Sequence, residues 1–370
     1  MFVDKGVTSL NDEQYMRFAL KLAAETAGHT SPNPAVGAVI VKKNKIVGFG
    51  AHIQAGEDHA EAHALRMAGC KAEGATMYVT LEPCSHQGKV PPCTQSIIER
   101  GIQRVVIATL DANENVHGQG VERLRNAGIE VVVGVLQTEA RELNAPFFHF
   151  IRTKKPFVTM KTAMSLDGKI ATHMGDSQWI TGEDARLDGH TYRHTHDAIL
   201  VGVNTVLADD PSLTTRIKGG GNHPVRVILD THLRTPLDAK VITDGQAKTW
   251  IFVGCKVNDK RKQPFEAHPH VTIFSLEDEK IDIHEVLTIL GKNDVMSLFV
   301  EGGARVNGTF LQEQAFNQVI VYIAPKLIGG RQAPTPFAGE GFSVLSDVPS
   351  LRMRHVEKMG NDLKIIATLD

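Results

Sequence analysis

At 370 residues the chain is too long for one ordinary hydrophobic core, so two domains are expected. A net charge of -2 with no long basic run lacks the electrostatic footprint of a nucleic-acid partner and points to a small-molecule substrate. Four cysteines make no disulfide framework and fit a reducing, cytoplasmic setting; no apolar stretch approaches the ~20 residues that span a bilayer, and residues 1–10 lack the pattern of a signal peptide.

In chain order, Asn11 reads as a helix N-cap with Gln14 at the capping-box position, and a helix is predicted to about Gly28. Ser31-Pro32-Asn33-Pro34 breaks it. Residues 35–41 and 46–50 predict a hairpin around Lys42-Lys43-Asn44-Lys45. A helix is expected over 60–68, a strand over 76–81, a short helix over 94–100, a strand over 104–109, a helix over 121–127 and a strand over 129–135. This alternation predicts an α/β layered sheet. Residues 146–156 carry the expected boundary, between a first domain at 1–150 and a second at 151–370. The second begins with a strand over 157–163. Further strands are expected over 198–202, 225–229, 249–253, 271–274, 297–300 and 318–323, with a closing hairpin over 355–369 around Gly360-Asn361-Asp362.

Chemistry concentrates first at His59-Ala60-Glu61, Pro83-Cys84 and Pro92-Cys93. One imidazole and two thiolates suit a catalytic Zn2+ with an open fourth position for water. Glu61, which need not bind metal, is placed to shuttle that water's protons. Zinc nucleobase deaminases use this set, with Pro-Cys-x-x-Cys as the usual tail. Here the two cysteines stand nine residues apart. A longer loop still brings two thiolates to one metal, because closure entropy grows slowly with length. It would also hang His86 and Lys89 beside the metal, where a polar or phosphorylated substrate meets them. The competing reading is a structural zinc with four protein ligands, for which Cys70 is the candidate fourth.

The second half has no Gly-x-Gly-x-x-Gly opening a helix, which argues against an ordinary Rossmann site. Phe299-Val300-Glu301-Gly302-Gly303-Ala304 is a strand turning into a helix through two glycines. Such a turn offers N–H groups to a pyrophosphate, or is a tight turn with no ligand. Residues 161–170, 176–181 and 197–211 place polar groups at strand ends, where α/β sites form. Arg193 and Arg216 either clamp a phosphate by bidentate hydrogen bonds or belong to solvated faces.

Together these motifs resemble the bifunctional deaminase/reductase family of riboflavin biosynthesis, over nearly the whole chain. The resemblance rests on Ser31 to Val39, His59-Ala60-Glu61-Ala62-His63-Ala64, Val79 to His86 and Gly88 to Cys93. In the second half it rests on Ser165 to Ala171, His196 to Gly202 and Glu301-Gly302-Gly303. The family shares the long spacer between its cysteines. It implies a three-layer cytidine-deaminase-like domain followed by a dihydrofolate-reductase-like α/β domain. It implies deamination of 2,5-diamino-6-(5-phosphoribosylamino)pyrimidin-4(3H)-one, then NADPH-dependent reduction of the ribosyl chain to ribityl.

Motif by motif, the resemblance assigns Zn2+ to His59, Cys84 and Cys93 and the proton shuttle to Glu61. It sets Asn33, His52, His86 and Lys89 around the deaminase substrate. Ala163, Trp179, Thr205, Asp209 and the turn Gly303, Ala304, Arg305, Val306, Asn307, Gly308 and Thr309 match the NADPH contacts. Ser177, Arg193, Leu213, Arg216 and Glu301 match the reductase substrate contacts. A homo-oligomer, dimer or tetramer, is implied as well. The alternatives are a zinc-dependent nucleic-acid base deaminase with a non-catalytic C-terminal binding domain, and a zinc-stabilised interaction protein with no need of Glu61. Cys70 and Cys255 have no match and read as buried small hydrophobes. No residue is assigned to the cofactor's 2′-phosphate.

Overall fold

Asn11 and Gln14 close a capping box: each side chain accepts the other's backbone N–H, at 3.0 and 3.1 Å. The helix they start, α1 (Asp12–Ala24), ends before Gly28. The Thr26 hydroxyl donates to the Ala23 carbonyl (2.9 Å), a local bond that competes with continued helix. The chain, seen in a computed structural model that describes residues 11–85, 92–113 and 116–369, divides into two compact units, Met1–Thr153 and Lys154–Asp370.

The first unit is built on one sheet of β1 (Gly37–Lys42), β2 (Lys45–Ala51), β3 (Thr76–Leu81), β4 (Arg104–Thr109) and β5 (Glu130–Val133), in the order β2-β1-β3-β4-β5. β1 runs antiparallel to β2 and β3, and β3, β4 and β5 are parallel. Side chains alternate between faces with period two. Ala38, Ile40, Met77, Val79, Val105 and Ile107 pack under α2 (Ala60–Ala68), α3 (Cys93–Glu99) and α4 (Gln119–Asn126). Val39, Val41, Tyr78, Val106 and Ala108 pack under α1 and α5 (Gln137–Leu143). The result is the expected three layers, and α6 (Ala145–Thr153) follows α5 in the chain.

The second unit is a sheet in the order β10-β9-β8-β7-β11-β6-β12-β14-β13. Its strands are β6 (Phe157–Ser165), β7 (Ala198–Gly202), β8 (Val225–Leu229), β9 (Thr249–Val253), β10 (Val271–Ser275), β11 (Ser297–Val300), β12 (Gln318–Ala324), β13 (Leu351–Met359) and β14 (Asp362–Leu369). Parallel pairing runs from β10 to β12, and β14 and β13 complete the sheet antiparallel. α11 (Ile283–Lys292) and α12 (Ala304–Gln312) bury Val286, Leu290 and Phe310 on one face. α7 (Glu183–Thr195), α8 (Val203–Asp209) and α9 (Lys240–Thr243) cover the other through Ala185, Val206 and Ile242. The short α10 (Asp259–Lys262) lies on the surface.

One expectation is corrected. Cys70 and Cys255 are both exposed rather than buried. Cys70 sits in a single 3-10 turn, Gly69–Ala72, whose only buried residue is Ala72. Cys255 lies in the turn after β9. Among the described residues, no helix is long and apolar enough to cross a membrane.

Candidate active sites of the two units

His59 is the N-cap of α2, in extended conformation with no side-chain capping bond, so its ring is left for another task. Cys93 opens α3, and Cys84 follows the end of β3 through Glu82-Pro83. The three ligand atoms lie within 4.8 Å of one another. His59 Nδ1 stands 3.3 Å from Cys93 Sγ and 3.7 Å from Cys84 Sγ. A tetrahedron with Zn–N and Zn–S bonds of about 2.0 and 2.3 Å has edges of roughly 3.5 Å, so this donor set fits zinc. The Cys93 N–H donates to Cys84 Sγ (3.2 Å), and the Thr94 hydroxyl and N–H bind the Cys84 carbonyl. Cys70, the candidate fourth ligand, is not in the cluster, which among the described residues has three ligands.

Electrostatics in this cluster favour a thiolate beside an imidazole. The Cys84 thiol is driven down to about 4, first by its hydrogen bond with Cys93, with His59 adding to the effect against the cost of burial. Cys93 is pushed upward by Cys84 and by burial. His59 rises, chiefly through its bond to Cys84. Glu61 is 3% exposed, and burial raises its carboxyl above the usual range. A carboxyl whose proton affinity is raised in this way is suited to taking a proton and returning it. Beside it, His52 faces the His59 ring edge-on at 5.4 Å. The Asn33 amide nitrogen lies 3.1 Å from His52 Nε2, and His52 Nδ1 lies 3.2 Å from the Asp58 carbonyl. Asn33 and His52 are thus gathered at the cluster, whereas His86 and Lys89 fall outside the described residues.

In the second unit a cavity of about 620 Å3 opens at the strand ends, and its lining includes Trp179, Arg193, Thr205, Asp209, Leu213, Arg216 and Glu301. Lys161 and His190 line it too, with no role assigned from the sequence. Arg193 donates from Nε and Nη2 to both Glu301 oxygens (2.7 and 2.9 Å) and from Nη1 to the Thr214 carbonyl (3.2 Å). The guanidinium expected to clamp a phosphate is therefore engaged in orienting Glu301. Burial opposes the Glu301 charge, but Arg193 and then Lys161 outweigh it and hold the carboxyl down at about 2. Trp179 is 62% exposed over the cavity, with the Arg186 guanidinium 4.7 Å from its ring centre.

Thr205 also lines a neighbouring groove of about 600 Å3, shared with Gly202, Gly303, Ala304, Arg305 and Val306. A Cβ at Gly302 would meet Val306 at 2.7 Å, so glycine there lets α12 sit close to the strand ends. The rest of the turn faces elsewhere. Asn307 is buried and donates to the Pro336 carbonyl, Gly308 closes against the Ala338 backbone, and Thr309 bonds back to the Arg305 carbonyl. Ala163 packs beside the core of the unit, and Ser177 is half-buried; neither lines the cavity.

A three-ligand cluster that fits zinc beside a buried carboxylate, followed by a largely parallel-sheet unit with a glycine-lined groove, fits a zinc-dependent deaminase joined to a nicotinamide-dependent reductase. Residues 9–109 match the cytidine and deoxycytidylate deaminase zinc-binding region, and residues 156–365 match the RibD C-terminal domain. The chain is 52% identical to the riboflavin biosynthesis protein RibD of Bacillus amyloliquefaciens over 96% of both chains. It is 47% identical to that of Aquifex aeolicus, over 96% of this chain and 97% of the other. Among solved structures it is similar to a diaminohydroxyphosphoribosylaminopyrimidine deaminase/5-amino-6-(5-phosphoribosylamino)uracil reductase from Thermotoga maritima. That match has a TM-score of 0.87 and 39% identity, over 97% of this chain and 99% of that one. The chain belongs to the RibD family: it is a bifunctional riboflavin-biosynthesis enzyme with a deaminase and a reductase domain. Zinc fits the first domain and NADPH the second.

Proposed function

We propose that the first domain, residues 1–150, hydrolytically deaminates 2,5-diamino-6-(5-phosphoribosylamino)pyrimidin-4(3H)-one. The second domain, residues 151–370, reduces the ribosyl chain of the product to ribityl. The observation that carries this reading is the His59–Cys84–Cys93 cluster with Glu61 buried beside it. His59, Cys84 and Cys93 hold Zn2+, which when bound lowers the pKa of a water toward ~7. Glu61 accepts a proton from the attacking water and returns it to the departing amino group. Water and the aminopyrimidine thus give the oxo product and ammonia. Asn33 and His52 orient the pyrimidine.

NADPH supplies a hydride for the second step. The open-chain form of the product receives it at C1′, with a proton on the adjacent nitrogen. Thr205 and the turn from Gly303 to Val306 seat the cofactor, and Trp179 and Asp209 border its nicotinamide end. Glu301, Leu213 and Arg216 meet the substrate, with Arg193 fixing the Glu301 carboxylate. The active form is a cytoplasmic homo-oligomer, and a monomeric mass in solution would contradict that part.

The test is a coupled assay on zinc-replete protein with the diaminopyrimidine phosphate, following ammonia with and without NADPH. Ammonia without NADPH, and NADPH oxidation only after deamination, is the expected result. Ammonia with no oxidation would remove the reductase assignment. Absence of ammonia would remove the deaminase assignment.

A further inference from the structure

Trp179 lines the cavity of the second unit from the turn between β6 and α7. Exposure of a single indole is ordinary, but this one is fixed from three elements. From the end of β12, Lys326 Nζ donates to the Trp179 carbonyl at 2.6 Å. From the start of β14, the buried Asp362 accepts the Gly182 N–H at 2.6 Å. From α7, Arg186 Nη1 donates to the Thr181 carbonyl at 2.9 Å, while its guanidinium lies over the Trp179 ring.

Arg186 makes no ion pair among the described residues, so no carboxylate draws its charge away from the ring. A guanidinium is planar: it stacks on an aromatic face while its N–H groups bond in its own plane. The ring contact and the Thr181 bond use both properties at once. The cation covers one face of the indole and leaves the other for a planar ligand ring. A wall ordered before binding spares the ligand the entropy of ordering it. Charge adds discrimination. The dihydronicotinamide ring of NADPH is neutral, whereas the nicotinamide ring of NADP+ is cationic. A guanidinium behind the indole repels only the second.

We infer that Arg186 is a positioning residue of the reductase: it fixes the Trp179 indole as a wall of the nicotinamide seat and favours NADPH over NADP+ there. The inference rests on the reading of Trp179 as the border of the nicotinamide end. The test measures equilibrium binding of NADPH and NADP+ to the full-length protein, for wild type, Arg186→Ala, Arg186→Lys and Trp179→Ala. Arg186→Ala is expected to weaken NADPH about three- to tenfold. NADP+ should stay within about twofold, because relief of repulsion offsets the loosened wall. Arg186→Lys keeps a charge over the ring and should keep most of the preference for NADPH; it also serves if the alanine variant does not fold. Equal weakening of NADPH and NADP+ by Arg186→Ala would reduce Arg186 to a structural contact and overturn the proposal. No change in either ligand would overturn it too, as would an Arg186→Lys variant that binds both ligands alike. Wild-type NADPH affinity in Trp179→Ala would instead refute the placement of Trp179 at the nicotinamide.

Discussion

Glu61 and Glu82 are both buried carboxylates of the first unit, 3% and 6% exposed, and their surroundings separate their tasks. Glu61 stands beside the thiols with its proton affinity raised by burial. Glu82 is saturated with donors: it accepts N–H groups from Asp111 (3.2 Å), Gly118 (3.0 Å), Gly120 (2.8 Å) and Val121 (3.2 Å). A carboxylate so satisfied is held rigid, and it fixes the strand end that leads through Pro83 to Cys84. Glu61→Gln is expected to retain one zinc per chain while ammonia release falls by about 10²–10⁴-fold, measured by metal analysis beside the assay. A rate near wild type would remove Glu61 from the proton path. Glu82→Gln should weaken zinc about 10–100-fold, read by competition with a chelator, because it loosens a ligand's support. Unchanged zinc affinity would leave Glu82 a purely structural residue. The zinc set was legible in the sequence because its residue types are chemically rare and lie within a short span. Glu82 was not, since its partners come from a loop about thirty residues on and backbone N–H groups carry no sequence signal.

Secondary elements with strong periodicity or turn chemistry were legible in the same way. Alternating Ala38-Val39-Ile40-Val41 feeds both cores, and Gly360 turns β13 into β14. Helix α7 was not foreseen, because only Ala185 and Gly189 of its thirteen residues are buried, too few to mark an apolar face. Its role is to hold the segment that carries Arg216. His190 Nδ1 accepts the Arg216 N–H (3.3 Å) and His194 Nδ1 the Asn222 N–H (3.0 Å), while His223 Nδ1 accepts the Thr215 N–H (3.2 Å) within the segment. An accepting imidazole must be neutral at that nitrogen. Burial, then Arg193 and Arg216, push His190 down to about 4, with Glu301 opposing. Between pH 6.5 and 4 the unfolded chain takes up a proton at this position and the folded one does not. Stability is therefore fully present above 6.5 and is lost as pH falls toward 4. Both tryptophans, Trp179 and Trp250, lie in the second unit, so their fluorescence follows its urea unfolding. From pH 7 to 5 the midpoint should drop more in wild type than in His190→Asn, whose amide oxygen can still accept. Equal drops would place the acid sensitivity elsewhere.

On the scale of the whole chain, each hydrophobic cluster lies inside one unit: two in residues 11–153 and two in residues 154–369. The metal cluster belongs entirely to the first, the cavity and groove entirely to the second. Zinc removal should therefore act on one half of the chemistry. Dialysis against a chelator is expected to abolish ammonia release, while NADPH-dependent reduction of substrate supplied already deaminated continues at the untreated rate. Stability should divide likewise, because a ligand stabilises only the state and the unit that bind it. The thermal transition seen by tryptophan fluorescence should stay in place on chelation, and the calorimetric transition of the first unit should move down and return when zinc is restored. If chelation shifted the tryptophan transition by the same amount, the two cores would melt as one cooperative body and loss of zinc would disable both activities together.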